Sequence, residues 1–274
     1  ALKDALLHKL DYTTYDEGLN TQAEMKEKQK YLLLLKNAIE DNRMKAFFQP
    51  IYNINTQKIE KYETLIRLID EEGNQTSPYF FLDIAKQAKL YSHITRTILD
   101  QSFEIFKDND YEFSINISVE DIEHKPTIEY LLEKFKNNPS ITKRVVVELL
   151  EDEGIENFEM VNSFIKEIKN YGAKVAIDDF GTGYSNFSYL LQLDVDYIKI
   201  DASLIKNIHQ DKNSEKIVET LVDFSKKMDA KIIGEFVHNK AVLEKITEKG
   251  IDYAQGYYID QPRQTIGNEP PWKE

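Results

Sequence analysis

From about residue 44 onward, short apolar and β-branched runs alternate with longer stretches of helical spacing. The runs fall at 46–51, 59–69, 113–117, 145–149, 174–177, 197–200 and 231–233, with a weaker one at 251–254. Eight candidate strands in one alternating series predict an α/β fold, a TIM-type (β/α)8 barrel. Between them, Val161, Phe164, Ile165, Ile168 and Tyr171 form one apolar stripe, with Gly172 placed as a C-terminal cap. Ile217, Leu221, Phe224 and Met228 form another, and Ser77-Pro78 opens a third that runs through Phe81, Ile84, Ala85 and Ala88. Such stripes are core packing. Residues 1–40 lack the alternation and read as a short helical N-terminal lead-in, with helices at 1–10 and 22–39. The expected barrel then spans 41–265, followed by a tail at 266–274.

The informative positions are the strand ends. Glu63 lies within the second run, Asn116 closes the third and Glu148 the fourth. Asp178 and Asp179 follow the fifth, Lys199 sits inside the sixth, and Glu235 follows the seventh. In a parallel barrel every strand ends at the same rim, so these residues converge. Each alone has an ordinary explanation: a rim salt bridge, a βα turn, a lysine on the outer strand face. Together the carboxylates form a crowd of like charge whose repulsion and desolvation require a cation. Carboxylates and one amide are hard oxygen donors, which suit Mg²⁺ or Mn²⁺, admit Ca²⁺ and disfavour Zn²⁺ or copper. Two adjacent aspartates allow one carboxylate to bridge two ions while its neighbour holds the second, an arrangement that clamps a phosphoryl displacement.

Composition narrows the partners. With 48 acidic residues against 35 basic and a net charge of −13, the chain disfavours a nucleic acid polymer or an anionic membrane. A phosphorylated ligand would need a local positive device, and bound divalent ions supply one. Cysteine is absent, which excludes a thiolate nucleophile and cysteine-ligated metal. No apolar run approaches the roughly 18 residues that span a bilayer, and the first residues lack a signal-peptide apolar region. A cytoplasmic domain is expected, with any membrane anchor outside this fragment.

Several segments resemble one family. Phe48-Gln-Pro-Ile51, Glu63-Thr-Leu-Ile-Arg67, Asn116-Ile-Ser118, Glu148-Leu-Leu-Glu151, Asp178-Asp-Phe-Gly-Thr-Gly-Tyr-Ser185, Lys199-Ile-Asp201, Glu235, Gln255-Gly-Tyr257 and Pro262 occur in the order and spacing of EAL-domain cyclic di-GMP phosphodiesterases. The resemblance implies hydrolysis of cyclic di-GMP to linear 5′-pGpG with a pair of metal ions, and Ca²⁺ that binds without turnover. It implies metal ligands at Glu63, Asn116, Glu148, Asp178, Asp179 and Glu235, with Glu235 also catalytic. It implies a lysine, Lys199, that contacts and activates the attacking water, and substrate contacts at Gln49, Arg67 and Gln255. Glu151 would anchor the loop 180–186, which the family ties to metal binding and to a homodimer through the barrel. The family's signature alanine is Thr64 here, the threonine of its Glu-x-x-Glu is Leu150, and its Glu-Gly-Val-Glu is Glu235-Phe-Val-His238. None of these departures removes an expected metal ligand.

Residues 1–7 with Tyr12, Tyr15 and Asp16-Glu17 resemble the end of a GGDEF domain, implying a fragment of a longer signalling protein with upstream GGDEF or sensor domains. Two other readings use the same acids: a cyclic di-GMP receptor without turnover, and an enolase-type barrel that abstracts a proton beside a carboxylate. The second leaves the Gln-Pro-Ile, Asp-Asp-Phe-Gly-Thr-Gly and Gln-Gly-Tyr segments without a purpose.

Overall fold

The computed structural model describes residues 17–151, 158–181 and 190–267. Among the described residues nine strands form one sheet: β1 (Met44–Asn53), β2 (Lys58–Ile69), β3 (Gln75–Thr76), β4 (Glu112–Asn116), β5 (Val145–Leu150), β6 (Lys174–Phe180), β7 (Tyr197–Ile200), β8 (Lys231–Gly234) and β9 (Tyr253–Gln255). Pairing runs from β1 through β9, β8, β7, β6, β5 and β4 to β2, and β1 also pairs with β2. Eight strands thus close into the expected barrel. One feature differs from a uniformly parallel ring: β1 runs antiparallel to β9, while the pairs from β2 through β4 to β9 are parallel. The four residues between β1 and β2 are too few for a helical crossover, so the first unit of the series is a turn rather than a βα unit.

Strand alternation stacks the barrel interior in layers. The middle layer is apolar, with Ile51, Val146, Ala176, Tyr197, Ile233 and Tyr253 in one buried cluster. Two residues further along their strands stand Glu148, Asp178, Lys199, Glu235 and Gln255. Two residues before Glu63 and Ala176 stand Lys61 and Lys174, which with Glu112 form a second polar layer at the opposite mouth. There Lys61 and Lys174 both pair with Glu112, and Lys61 Nζ donates to Tyr197 Oη at 2.7 Å, lying 4.3 and 4.5 Å from the ring centres of Tyr197 and Tyr253. Burial lowers the Lys61 pKa against the pull of Glu112. Outward-facing Val145, Val147, Val175, Ile177, Ile198, Ile200 and Ile232 are buried on the outer side.

The chain divides into two compact units, one holding Leu68–Tyr91 with the stretch ending at Met44, the other Lys45–Arg67 with the stretch from Ser92. The first contains the lead-in helix Glu17–Glu40, the short helix Leu82–Gln87 and β3, whose Thr76 and Gln75 pair with Leu68 and Ile69. Ser77 starts a 3₁₀ turn at Pro78–Phe80 without a side-chain cap, and Phe81 and Ala85 are the buried residues of the expected stripe. In the second unit, helix Phe158–Asn170 buries Val161, Phe164, Ile165 and Ile168, as the pattern predicts. Helix Lys212–Met228 is rotated from the expected stripe: it buries Ser214, Val218, Leu221, Val222 and Ser225 and leaves Ile217 exposed. The two serines tolerate burial because their hydroxyls donate locally, to Asp211 and to the Val222 carbonyl. The expected helix at 1–10 and the segment with Tyr12, Tyr15 and Asp16 lie outside the described residues.

Candidate metal centre and ligand cavity

At the carboxyl ends of the parallel strands the inward residues meet around Lys199. Its ammonium lies 2.8 Å from Glu148 Oε2, 2.9 Å from Asp178 Oδ1, 2.9 Å from Glu235 Oε1 and 3.5 Å from Glu63 Oε2. Ile198 and Ile200 on either side are buried facing outward, so alternation points Lys199 into the barrel, where it is 1% exposed. Glu63 is braced on both oxygens, by Asn116 Nδ2 at 3.2 Å and Gln255 Nε2 at 2.5 Å. The turns beyond the strands carry their own caps. Ser118 and Asp121 form a capping box on helix Val119–Glu123, and Asp201 accepts from the Ser203 amide at 2.8 Å. Ser118 and Asp201, both in the family-like segments, thus fix the backbone just past Asn116 and Lys199.

Asp178 and Asp179 are adjacent, and an unbroken strand would send their side chains to opposite faces. The β6–β7 register shifts between Ile177 and Phe180, and Asp179 adopts φ +55°, a left-handed conformation that aspartate tolerates better than most residues. This bulge brings both carboxylates to one rim. Two sets of ligand oxygens then fall within 4.8 Å of one another: Glu63, Glu148 and Asp178, and Asp178, Asp179 and Glu235. Asp178 belongs to both. The next turn is set by Gly181 at φ +102°, whose amide donates to Glu151 Oε2 at 3.2 Å; a Cβ there would lie 2.5 Å from Leu204 Cδ1. Residues 182–186 of the expected loop lie outside the described residues.

Five carboxylates face one ammonium here, and the imbalance shows in their proton affinities. Burial, reinforced by Glu63 and Asp178, pushes Glu148 well above the usual carboxylate range despite Lys199. Burial likewise raises Glu235 to about 8 and Asp179 to about 6. Burial would also raise Glu63, but Lys199, Gln255 and Asn116 hold it low. Glu148 Oε1 is buried without a hydrogen-bond partner. An excess of hard oxygen donors, a buried carboxylate oxygen left unpaired and two triads sharing one aspartate fit a pair of hard divalent cations. For Lys199, burial alone would lower the pKa, but Asp178, Glu148, Glu235 and Glu63 drive it well above its ordinary value. The four carboxylates on their own thus favour the ammonium form of Lys199.

Beside these acids opens a cavity of about 400 Å³ lined by Gln49, Glu63, Leu65, Ala202, Glu235 and Phe236, and further by His238, Gln255, Gly256 and Tyr257. Gln49 reaches it from antiparallel β1 and accepts from Gln255 Nε2 at 3.2 Å. Gln255 Oε1 is buried and unpartnered. Arg67, two turns of alternation beyond Glu63 on β2, is half-buried and donates to the Ile66 carbonyl; it is not among the lining residues. Sequence reasoning missed Phe236 and Tyr257 as wall residues. Phe236 registered only as a lost glycine, although an aromatic directly after a strand-end acid was a signal available in the sequence.

Residues 34–262 match the EAL domain family. The chain belongs to it. This EAL domain is 30% identical over 263 residues to the signalling protein YkoW of Bacillus subtilis, covering 93% of this chain and 32% of YkoW. It is 28% identical over 255 residues to the cyclic di-GMP phosphodiesterase PdeB of Shewanella oneidensis, covering 91% of this chain and 30% of PdeB. The chain therefore spans about a third of the length of these relatives. Among solved structures, the FimX EAL domain from Pseudomonas aeruginosa bound to c-di-GMP superposes with a TM-score of 0.80 at 24% identity, covering 86% of this chain and 98% of that one. An EAL domain protein from Listeria monocytogenes gives 0.77 at 25%, covering 85% and 93%. Among the described residues no helix is long and apolar enough to cross a membrane.

Proposed function

We propose that this EAL domain is a metal-dependent phosphodiesterase that opens cyclic di-GMP to linear 5′-pGpG. The observation that carries the reading is the pair of oxygen triads sharing Asp178, set beside the cavity that Glu63 and Glu235 also line. Glu63, Asn116, Glu148, Asp178, Asp179 and Glu235 would hold two Mg²⁺ or Mn²⁺ ions. When bound, such a pair supplies the positive charge that draws a phosphodiester into an acidic pocket and makes water a better nucleophile. The chain's own groups do the rest. Gln49 and Gln255 present amides to the cavity, and the unpartnered Gln255 Oε1 is free to accept from a ligand N–H or hydroxyl. Water's oxygen forms the new bond to phosphorus, the bond from phosphorus to the 3′ oxygen breaks, and a proton must reach that oxygen. Lys199, 2.8–2.9 Å from Glu148, Asp178 and Glu235, is placed to stabilise charge and to move a proton where water and phosphate would meet.

A second reading, a receptor that binds without turnover, needs only the cavity lined by Gln49, Gln255 and Tyr257. Chromatography of cyclic di-GMP incubated with the purified chain in Mg²⁺ or Mn²⁺ separates the two: conversion to pGpG supports the enzyme, and binding with the ligand left intact supports the receptor.

A further inference from the structure

We infer that Phe236 is a specificity-determining residue whose ring is a stacking wall for a purine base of the cyclic dinucleotide, an inference that rests on the function proposed above. Two properties of Phe236 set it apart. It adopts φ +54°, a left-handed conformation that is strained for an aromatic residue, and its side chain, though large and apolar, is 48% exposed. Strain and exposure together, at a residue lining the cavity beside Glu235, point to a ligand that covers the ring.

The backbone around Phe236 is built to hold that conformation. The Val237 amide donates to the Gln255 carbonyl at 2.9 Å, and the Tyr258 amide donates to the Val237 carbonyl at 3.0 Å. This close approach needs Gly256, at φ +154°, because a Cβ there would collide with both Val237 N and O. His238 Nδ1 donates to the Phe236 carbonyl at 3.2 Å, and the two rings lie 5.5 Å apart. The segments on either side of the Val237–Gly256 contact thus present Phe236 and Tyr257, 65% exposed, to the same cavity. Lys206 Nζ lies 5.8 Å from the Phe236 ring centre. A phenyl ring has no hydrogen-bonding atom, so it reads the flat face of a base rather than its edge, and the larger purine face gains more than a pyrimidine.

The test is calorimetric binding of cyclic di-GMP to the full chain in Ca²⁺, with chromatography showing that the ligand stays intact. Phe236→Gly removes the ring and also relieves the left-handed strain, so its loss of binding cannot be blamed on a damaged fold. Phe236→Leu keeps apolar bulk without a flat face, and Phe236→Tyr keeps the face. Stacking on this wall predicts that the Gly and Leu variants each bind about ten-fold or more weaker, with Tyr within about three-fold of wild type. Wild-type binding with an unaffected Gly variant, or a Leu variant as good as wild type, overturns this inference alone. A wild-type chain that does not bind cyclic di-GMP overturns the proposed function and this inference with it.

Discussion

Replacing Lys199 by methionine keeps the stem and removes the ammonium that faces Glu148, Asp178 and Glu235 at 2.8–2.9 Å. Removing one partner of a buried ion pair costs roughly 3–5 kcal/mol, because the remaining charge is left without compensation. Two of these partners can limit the loss by taking up protons, Glu148 and Glu235, whose pKa values already lie high. The penalty should therefore be larger at pH 8.5 than at pH 6. For a domain of this size each kcal/mol moves the unfolding midpoint by about 2–4 °C, so in EDTA at pH 8.5 the variant should melt roughly 6–20 °C below wild type. Divalent ions should return much of the difference, since a ligand at about 100 times its Kd stabilises by about 2.7 kcal/mol. Thermal unfolding followed by circular dichroism, in EDTA and in excess Mg²⁺, measures both arms. A variant melting within about 2 °C of wild type in EDTA would refute the reasoning. So would equal Mg²⁺ stabilisation of the two proteins.

The remaining predictions concern pH, the shared aspartate, the glycine contact and the rate. In the metal-free protein Glu148, Glu235 and Asp179 bind protons more tightly when folded. Their contribution is fully present below the unfolded carboxylate pKa and is lost as pH rises through about 6 for Asp179 and about 8 for Glu235. The melting temperature in EDTA should therefore fall from pH 5.5 to 9, more steeply than in Mg²⁺; a rise over that range would contradict the shifts. Asp178→Asn, altering the carboxylate common to both triads, should leave less than about a tenth of wild-type hydrolysis at saturating Mg²⁺ while the fold persists by circular dichroism. Gly256→Ala should destabilise by roughly 1–3 kcal/mol in urea unfolding, since its Cβ would collide with the Val237 backbone. Lys199→Ala should lower the single-turnover rate by about 10² while cyclic di-GMP binding in Ca²⁺ stays within a few-fold; a rate within about ten-fold of wild type would remove Lys199 from the chemistry.

How much was legible in the sequence differs from element to element. Most of the barrel strands were readable because parallel strands buried on both faces leave continuous apolar runs, as in Val145–Leu150 and Tyr197–Ile200. The two-residue β3 was too short to leave a period, and the direction of β1 depends on the turn that follows it. At the site, Glu63, Glu148, Asp178 and Glu235 stood out as acids on apolar strands, and all four approach Lys199. Asp179 was named, yet the bulge that turns it to the same rim as Asp178 is a backbone event that residue types do not encode. The sign of the Lys199 shift was equally hidden, because it depends on how closely four carboxylates approach one ammonium. Lys61, two residues before Glu63, was not singled out, although alternation alone places it inside the barrel. The stripe on helix Lys212–Met228 was misread because Ser214 and Ser225, both buried, look polar on paper.

The central claim, that these converging acids form a phosphodiester-cleaving metal centre, is tested most directly by product analysis. The purified chain is incubated with cyclic di-GMP in Mg²⁺, in Mn²⁺ and in EDTA, and the nucleotides are resolved by chromatography and mass spectrometry. The account predicts linear 5′-pGpG, one water heavier than the substrate, in Mg²⁺ or Mn²⁺, none in EDTA, and almost none from Asp178→Asn. Cyclic di-GMP that binds but is recovered intact in both metals would contradict it and make this EAL domain a receptor.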